Sequence, residues 1–179
     1  MKRLLVLLVL VATACNPQPM RGPGGATRAP NASPSGAPPL LITSRASANH
    51  PLVFFGQKGN RVAYKMVVRD RAIANTAQGA GDGTFYDVTV TFYDRSGRTL
   101  EASSPRAIAV EANQTLTLYD GVKATSSNHD VLTCQTLVYD RASGKLHGEG
   151  KVRISSADGF WTTGNRFDSD ITLENLVLK

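Results

Sequence analysis

The stretch Tyr86-Asp87-Val88-Thr89-Val90-Thr91-Phe92-Tyr93 decides the fold class. Apolar and polar residues alternate along it, which predicts a half-buried strand with Tyr86, Val88, Val90 and Phe92 on one face. The β-branched residues valine and threonine are abundant here and suit a pleated surface. We therefore predict an all-β domain. The same alternation recurs in three shorter segments, Leu116–Leu118, Lys151–Ile154 and Ile171–Leu173.

Turn signals separate these segments at regular intervals. Tyr93–Leu100 and Tyr139–Leu146 repeat one pattern: an aromatic strand end, an aspartate that can bond its own backbone, and a glycine for positive φ. A repeated hairpin favours stacked strand layers, because each unit buries its apolar face only against its neighbours. An ordinary antiparallel sandwich with coincidental turns is the alternative. Further turn dipeptides are Asp82-Gly83, Asp120-Gly121 and Asp158-Gly159.

The N-terminus predicts export and membrane attachment. Two basic residues precede a short apolar run, and small residues lead directly to Cys15. This is typical of a bacterial lipoprotein signal over residues 1–14, with Cys15 acylated. Soluble secretion with an incidental cysteine is the alternative. The predicted domains are thus the signal peptide 1–14, an acylated cysteine and linker 15–39, and a folded domain 40–179.

The composition of the linker and the net charge limit the possible partners of the protein. Residues 16–39 contain seven prolines and four glycines and no aromatic residue, so we expect an extended, disordered tether. Removing Lys2 and Arg3 with the signal peptide lowers the formal charge from +6 to +4. Because the chain has no run of Lys or Arg, nucleic acid is excluded as a partner class, and anionic lipid fits the mild basicity better.

The sequence contains no recognisable pattern of catalytic or metal-binding residues. His50, His129 and His147 are far apart and lack metal-ligand spacing, so we predict no metal, no cofactor and no catalytic residue. Cys134 is the one thiol left after acylation and is expected to be a small strand residue. The acids Asp158, Asp168 and Asp170 are expected to be solvated. The aromatic pair Phe160-Trp161 is expected to pack in the core, with a ligand-facing role as the alternative.

Four segments in succession resemble a known family. They carry a strand ending in a Gly-Val turn, a strand closing on Leu-x-Tyr-Asp, a glycine-flanked strand and a final strand. This order is similar to that of the periplasmic OstA-like proteins of lipopolysaccharide transport, above all the LptC-like component. The related LptA-like component shares the architecture, and the anchored N-terminus favours the LptC-like role. The segments are Leu118–Val122, Leu132–Asp140, Gly148–Ile154 and Thr163–Asp168.

The resemblance implies a twisted, open β-jellyroll that encloses an apolar groove. It implies a non-enzymatic protein that takes lipopolysaccharide or a similar glycolipid from an ABC transporter and passes it along a bridge. Partners would be the transporter's membrane subunits and an OstA-like bridge protein, joined by edge-strand pairing. The expected location is the periplasmic side of the envelope, with the inner membrane favoured over the outer. The expected groove residues are Val88, Val90, Phe92, Leu116, Leu118, Val152 and Ile154.

A competing class stays open at this point. An envelope β-sandwich lipoprotein could bind a protein or glycan surface without carrying lipid. That class predicts a closed, well-packed core, whereas a carrier predicts room for acyl chains.

Overall fold

The computed structural model describes residues 41–75 and 82–179, and these residues form thirteen strands of one antiparallel sheet. The prediction of an all-β fold is confirmed. Among the described residues there is no apolar helix of membrane-spanning length. The strands are β1 (Leu41–Arg45), β2 (Leu52–Lys58), β3 (Arg61–Val68), β4 (Arg71–Asn75), β5 (Gly83–Tyr93), β6 (Thr99–Val110), β7 (Thr115–Tyr119), β8 (Val122–Ser126), β9 (Val131–Cys134), β10 (Thr136–Asp140), β11 (Lys145–Ser155), β12 (Trp161–Asp170) and β13 (Val177–Leu178).

The signal peptide, Cys15 and the proline-rich linker predicted for residues 1–39 lie outside the described residues. Most of the glycine-rich stretch 79–83 lies outside them too.

The sheet consists of two halves that share their long strands. The first half-sheet contains β1, β4, β7, β10 and β13, and the second contains β2, β3, β8 and β9. Strands β5, β6 and β11 run through both halves and exchange one pairing partner midway, and β12 pairs with β11 through both halves. Buried residues of both halves form one hydrophobic core, so the inner faces pack against each other. This is the predicted jellyroll of stacked antiparallel strands.

A line of corners marks where the long strands pass from one half-sheet to the other. In β5 the corner residue is Asp87, with a positive φ of 52°. In β11 it is the pair Gly150-Lys151, with φ of 78° and 51°, where the register to β12 shifts. Backbone bonds tie successive corners together, for example from Gln135 N to the Gly150 carbonyl at 2.8 Å. The corners therefore lie along one side of the stack.

The corner in β5 reverses which residues face inward. Val88, Val90 and Phe92 are buried as predicted, but Tyr86 lies on the outer face. Its ring sits beneath the Arg71 guanidinium, 3.9 Å from carbon to ring centroid. Phe85 takes the buried position instead. The prediction for Tyr86 was wrong because one residue at positive φ shifts the alternation by one position.

Both predicted hairpin turns are confirmed, with the same chemistry in each. The Asp94 carboxylate accepts from the backbone N–H groups of Ser96 at 2.7 Å and Arg98 at 2.8 Å. The Asp140 carboxylate accepts from the backbone of Ala142 at 2.8 Å and Ser143 at 3.2 Å. The glycine of each turn has the positive φ that the pattern predicted.

The segment Ile171–Leu173 does not form the predicted strand. Strand β12 ends at Asp170, and the three residues that follow are all buried in a turn. The Asp170 carboxylate accepts from both the backbone N–H (3.1 Å) and the hydroxyl (2.7 Å) of Thr172. Such a local bond offers the backbone an alternative to the strand ladder and ends β12 here.

The aromatic pair at the start of β12 is exposed rather than buried. Phe160 is 78% exposed and Trp161 64%, so the expectation of core packing was wrong. This part of β12 pairs with β11 alone among the described strands, and no second layer covers it. The Arg153 guanidinium packs on the Trp161 ring, 5.2 Å from its centroid.

Candidate functional site

The inner face of the two half-sheets is the candidate site. Each predicted groove residue lies in a strand of that face, and six of the seven are at most 1% exposed. Ile154 is partly buried and packs against the same core. The structure thus brings together in one cluster residues from three separate strands. Contact with lipid stays a prediction for all seven. They are Val88, Val90 and Phe92 in β5, Leu116 and Leu118 in β7, and Val152 and Ile154 in β11.

Sequence reasoning missed more inner-face residues than it found. Leu137 and Tyr139 stand two positions apart in β10, as on one face of a strand, although the apolar Val138 between them weakens the alternation. Phe167 carried no such signal, because the residues around it are polar on both sides. The large buried side chains that were missed are Met66, Val68, Leu100, Leu132, Leu137, Tyr139, Leu146 and Phe167.

Three aromatic rings join the two half-sheets. Phe92 of the second half-sheet lies 4.7 Å from Tyr139 of the first, measured between ring centroids. Tyr64 makes edge contacts with both, at 6.3 Å and 6.2 Å. Burial raises the pKa of both tyrosines, and the positive charges of Arg141 and Arg61 oppose the shift at Tyr139. The tyrosines therefore stay neutral and act as part of the apolar interior.

A cavity of about 240 Å³ lies on the side opposite the corners, where the outer ends of the two half-sheets meet. We call this side the seam. Turns of the second half-sheet supply Lys58, Arg61, Arg95 and Arg98 to the rim. Turns of the first supply Ser143, Gly144 and the residues after β12. Val62, Ala63, Tyr139 and Ile171 contribute apolar surface to the wall, and Tyr93, Asp94, Asp170 and Thr172 contribute polar groups. The cavity is thus basic at its mouth and apolar toward the core.

Few polar contacts hold the seam together beside this cavity. Lys58 donates to the carbonyl of Ala142 across the seam. Arg98 pairs with Glu174, which also accepts from the Asn128 amide at 3.3 Å. The side chains of Arg98 and Glu174 are 41% and 47% exposed. Exposed pairs of this kind stabilise little because water and salt screen them, so they close the seam weakly.

The short strand β13 lies at the edge of the first half-sheet, beside β12. After the buried turn, β13 pairs with β12 through the register Phe167–Leu178 and Asp168–Val177. The Asp168 carboxylate receives Lys179 on one oxygen and lies 2.6 Å from His147 Nδ1 on the other. Lys179, and next His147, lower the pKa of Asp168 from 3.8 to about 2. This carboxylate holds the last strand on the edge of the first half-sheet.

The ion pairs of Asp168 predict a specific acid sensitivity. Because the folded-state pKa is depressed, the stabilisation by Asp168 is present above pH 4 and is lost as the pH falls toward 2. The substitution Asp168→Asn should therefore lower Tm at pH 6, with the difference from the wild type vanishing near pH 2. Thermal unfolding followed by circular dichroism from pH 6 to 2 measures this. Parallel Tm curves for the two proteins across pH 4 to 2 would contradict the assignment.

The remaining predicted side chains have structural roles here. Cys134 is buried and free in β9, as expected of a small strand residue, and burial raises its thiol pKa to about 12. Asp170 accepts the bonds that end β12. His129 has a positive φ of 69° in the exposed turn after β8. In the described part of the chain, no three His, Cys, Asp or Glu side chains are grouped as metal ligands.

Unpaired strand edges flank the inner face at the start of the stack. Among the described strands, β1 pairs only with β4 and β2 only with β3. These edges carry exposed apolar side chains, with Leu41 64% and Phe55 59% exposed. An edge of this kind is a template for a further strand.

Comparison with known proteins identifies the family of this fold. The chain matches the model of the family described as lipopolysaccharide-assembly, LptC-related, over residues 74–179. The match includes β5 to β13, and so most of the inner face and most of the residues that line the seam cavity. No curated protein matches the chain. The resemblance inferred from the succession of four short segments is confirmed. The chain belongs to the LptC-related family of lipopolysaccharide-assembly proteins.

Proposed function

We propose that this chain is a non-enzymatic, lipid-anchored carrier of lipopolysaccharide or a similar glycolipid. In this proposal Cys15 is acylated and the linker 15–39 holds the folded domain on the periplasmic side of the envelope, at the inner membrane. The domain takes the glycolipid from an ABC transporter and passes it along a bridge. Membership in a lipopolysaccharide-assembly family supports this assignment.

The observation that carries the proposal is the continuous apolar inner face. It extends from β3 to β12 and includes all seven predicted groove residues. Acyl chains need only apolar surface, and burial stabilises them by about 25 cal/mol per Å². No reactive group is required for that binding.

Entry of acyl chains requires the half-sheets to separate at the seam. The corners link the halves through continuous backbone, whereas the seam is bridged by exposed side chains such as Arg98 and Glu174. Opening therefore breaks these exposed polar contacts and the apolar contacts between the inner faces, and it leaves the strand ladders intact. Acyl chains would then replace the contacts that the inner faces make with each other.

Edge pairing would connect the carrier to its neighbours. We propose that the transporter's membrane subunits and an OstA-like bridge protein add strands to the stack. The exposed apolar residues on β1 and β2 support one such edge. Backbone hydrogen bonds would provide most of this affinity, and the apolar side chains would set the register.

One observation favours a second candidate, an envelope β-sandwich that binds a protein or glycan surface. The interior is filled by its own side chains, and several of them are fully buried. A surface-binding module needs no interior space.

Site-specific photo-crosslinking separates the two candidates. A photoreactive amino acid at Leu116 or Ile154 is expected to yield lipopolysaccharide adducts in cells, because both positions lie on the inner face. Thr89 and Thr91 are the matched outward positions. Ile154 is only partly buried and so tolerates the larger side chain. Adducts confined to the threonines, or adducts at none of the four positions, would overturn the carrier proposal.

A further inference from the structure

We infer that the seam cavity binds a phosphate group on the head of the carried lipid. Four cationic side chains, Lys58, Arg61, Arg95 and Arg98, come from two turns of the second half-sheet and converge on this one opening. The inference rests on the proposed function, because it assigns the headgroup of the same ligand.

Three of these cations have no carboxylate partner among the described residues, and the side chains of two of the three have no partner there at all. Arg98 is paired with Asp94 and Glu174, and Lys58 donates to a backbone carbonyl. Within the described residues, no ion pair or side-chain hydrogen bond engages Arg61 or Arg95. Two unengaged guanidinium groups at one cavity are suited to phosphate, which they bind in bidentate fashion.

The carboxylates at the cavity do not cancel this charge. Asp94 and Asp170 line it, but both are occupied with hydrogen bonds inside their own turns. Partial desolvation raises the pKa of Asp94, and the bonds from Ser96 and Arg98 outweigh that effect and lower it. Four cations against two anions leave the lining with a net positive charge.

The wall behind the rim requires the phosphate to belong to an amphipathic molecule. The buried residues Ala63 and Ile171 line the cavity on its core side, and Tyr139 connects it to the ring of Phe92. A phosphate held at the rim therefore places the attached acyl chains at the entrance to the inner face. A free phosphate ion would leave the apolar wall unused.

The other depressions on the described surface lack this combination. The one beside the corners combines Asp70 and Asp87 with a single cation, Lys123. The one beside Gly164 has Lys151, Arg153 and Lys179, but Arg153 packs on Trp161 and Lys179 pairs with Asp168. In the one beside His147, the carboxylates of Glu149 and Asp168 pair with Arg166 and Lys179. The seam cavity alone, among the described depressions, joins unengaged guanidinium groups to an opening toward the core.

The test compares two lipids on the full chain. The probes are the phosphorylated lipid portion of lipopolysaccharide and the same lipid after phosphatase treatment, each measured by displacement of a fluorescent acyl probe. We expect the double substitution Arg61→Gln, Arg95→Gln to weaken binding of the phosphorylated lipid about tenfold. Binding of the dephosphorylated lipid should change less than twofold. High salt should reduce the difference between the lipids, because it screens exposed charge.

The control removes the same charge elsewhere. Arg45 and Lys123 are exposed and line no part of the seam cavity, so Arg45→Gln, Lys123→Gln should leave both affinities unchanged. An equal loss in this control would overturn the site, because the effect would then come from net charge. Equal affinity of the wild type for the two lipids would overturn it too and leave the carrier proposal standing.

Two further outcomes identify which idea fails. If the wild type binds neither lipid, the proposed carrier function fails, and the headgroup site fails with it. Glucose 1-phosphate is the soluble competitor, since it carries the phosphate without acyl chains. Its binding with an affinity equal to that of the lipid would overturn the assignment to a lipid headgroup, and weak or no competition supports it.

Discussion

Replacing Gly148 by alanine is expected to lower the free energy of unfolding by about 3 kcal/mol. Gly148 lies on the inner face of β11, directly opposite Phe167 of β12. A Cβ atom at this position would lie 1.9 Å from the Phe167 ring, which covers the glycine. The ring is 1% exposed and packed on all sides, so it has little room to move away. Thermal and urea unfolding of the two proteins measures the difference.

The control for this clash is the same Gly148→Ala substitution made in a protein that already carries Phe167→Ala. With the ring removed, Gly148→Ala should be neutral or stabilising, because alanine restricts the unfolded chain more than glycine does. A double-mutant cycle thus separates the steric clash from any intrinsic effect of alanine in a strand. Equal destabilisation by Gly148→Ala in both backgrounds would contradict the proposed packing of Phe167 over the glycine.

The inner-face residues most easily predicted from the sequence are those in straight strand segments. Val88, Val90 and Phe92 follow one corner, and Leu116 and Leu118 occupy a short strand without any corner. In such a segment the side-chain period of two relates sequence to burial directly. The two hairpin turns were predictable for a similar reason, since each aspartate bonds only to its own turn.

The errors occur where geometry interrupts that period. Tyr86 precedes the corner at Asp87, and the sequence offered no reason for a positive φ at an aspartate within an apparently regular strand. Ile171–Leu173 alternates like a strand but follows Asp170, whose carboxylate bonds to the turn. Trp161 was placed in the core by its size, although its exposure depends on which strands lie beside β12. All three outcomes depend on context outside the local pattern.

The seam cavity was beyond sequence reasoning altogether. Its residues come from turns that are separated by about half the length of the domain, such as Arg61 and Gly144. No local spacing relates one turn to another, because their proximity follows from the exchange of pairing partners in the long strands. The mild positive charge of the chain was visible, whereas its concentration at one opening was not.

The substitution Phe92→Ala is expected to lower the free energy of unfolding by about 4 kcal/mol, within the range for deletion of a buried phenyl ring. Phe92 is fully buried and contacts Tyr139 across the two half-sheets, so its loss removes the main aromatic contact between them. Tyr139 also lines the seam cavity, and the space left by the ring should therefore enlarge that cavity. Urea unfolding measures the stability, and saturation with a fluorescent acyl probe measures the interior space.

Unfolding and probe binding together test whether the contact between Phe92 and Tyr139 limits the space for acyl chains between the half-sheets. Thr91→Ala is the matched control, because Thr91 is the neighbouring residue on the outer face of the same strand. It should change stability by about 0.5 kcal/mol or less, as surface substitutions usually do, and leave probe binding unchanged. If the interior admits acyl chains, Phe92→Ala should bind more probe despite its lower stability, because the added space is continuous with the seam. Lower stability with no gain in probe binding would mean that the half-sheets move together and fill the space left by the ring. Acyl chains would then have no route inward past Tyr139.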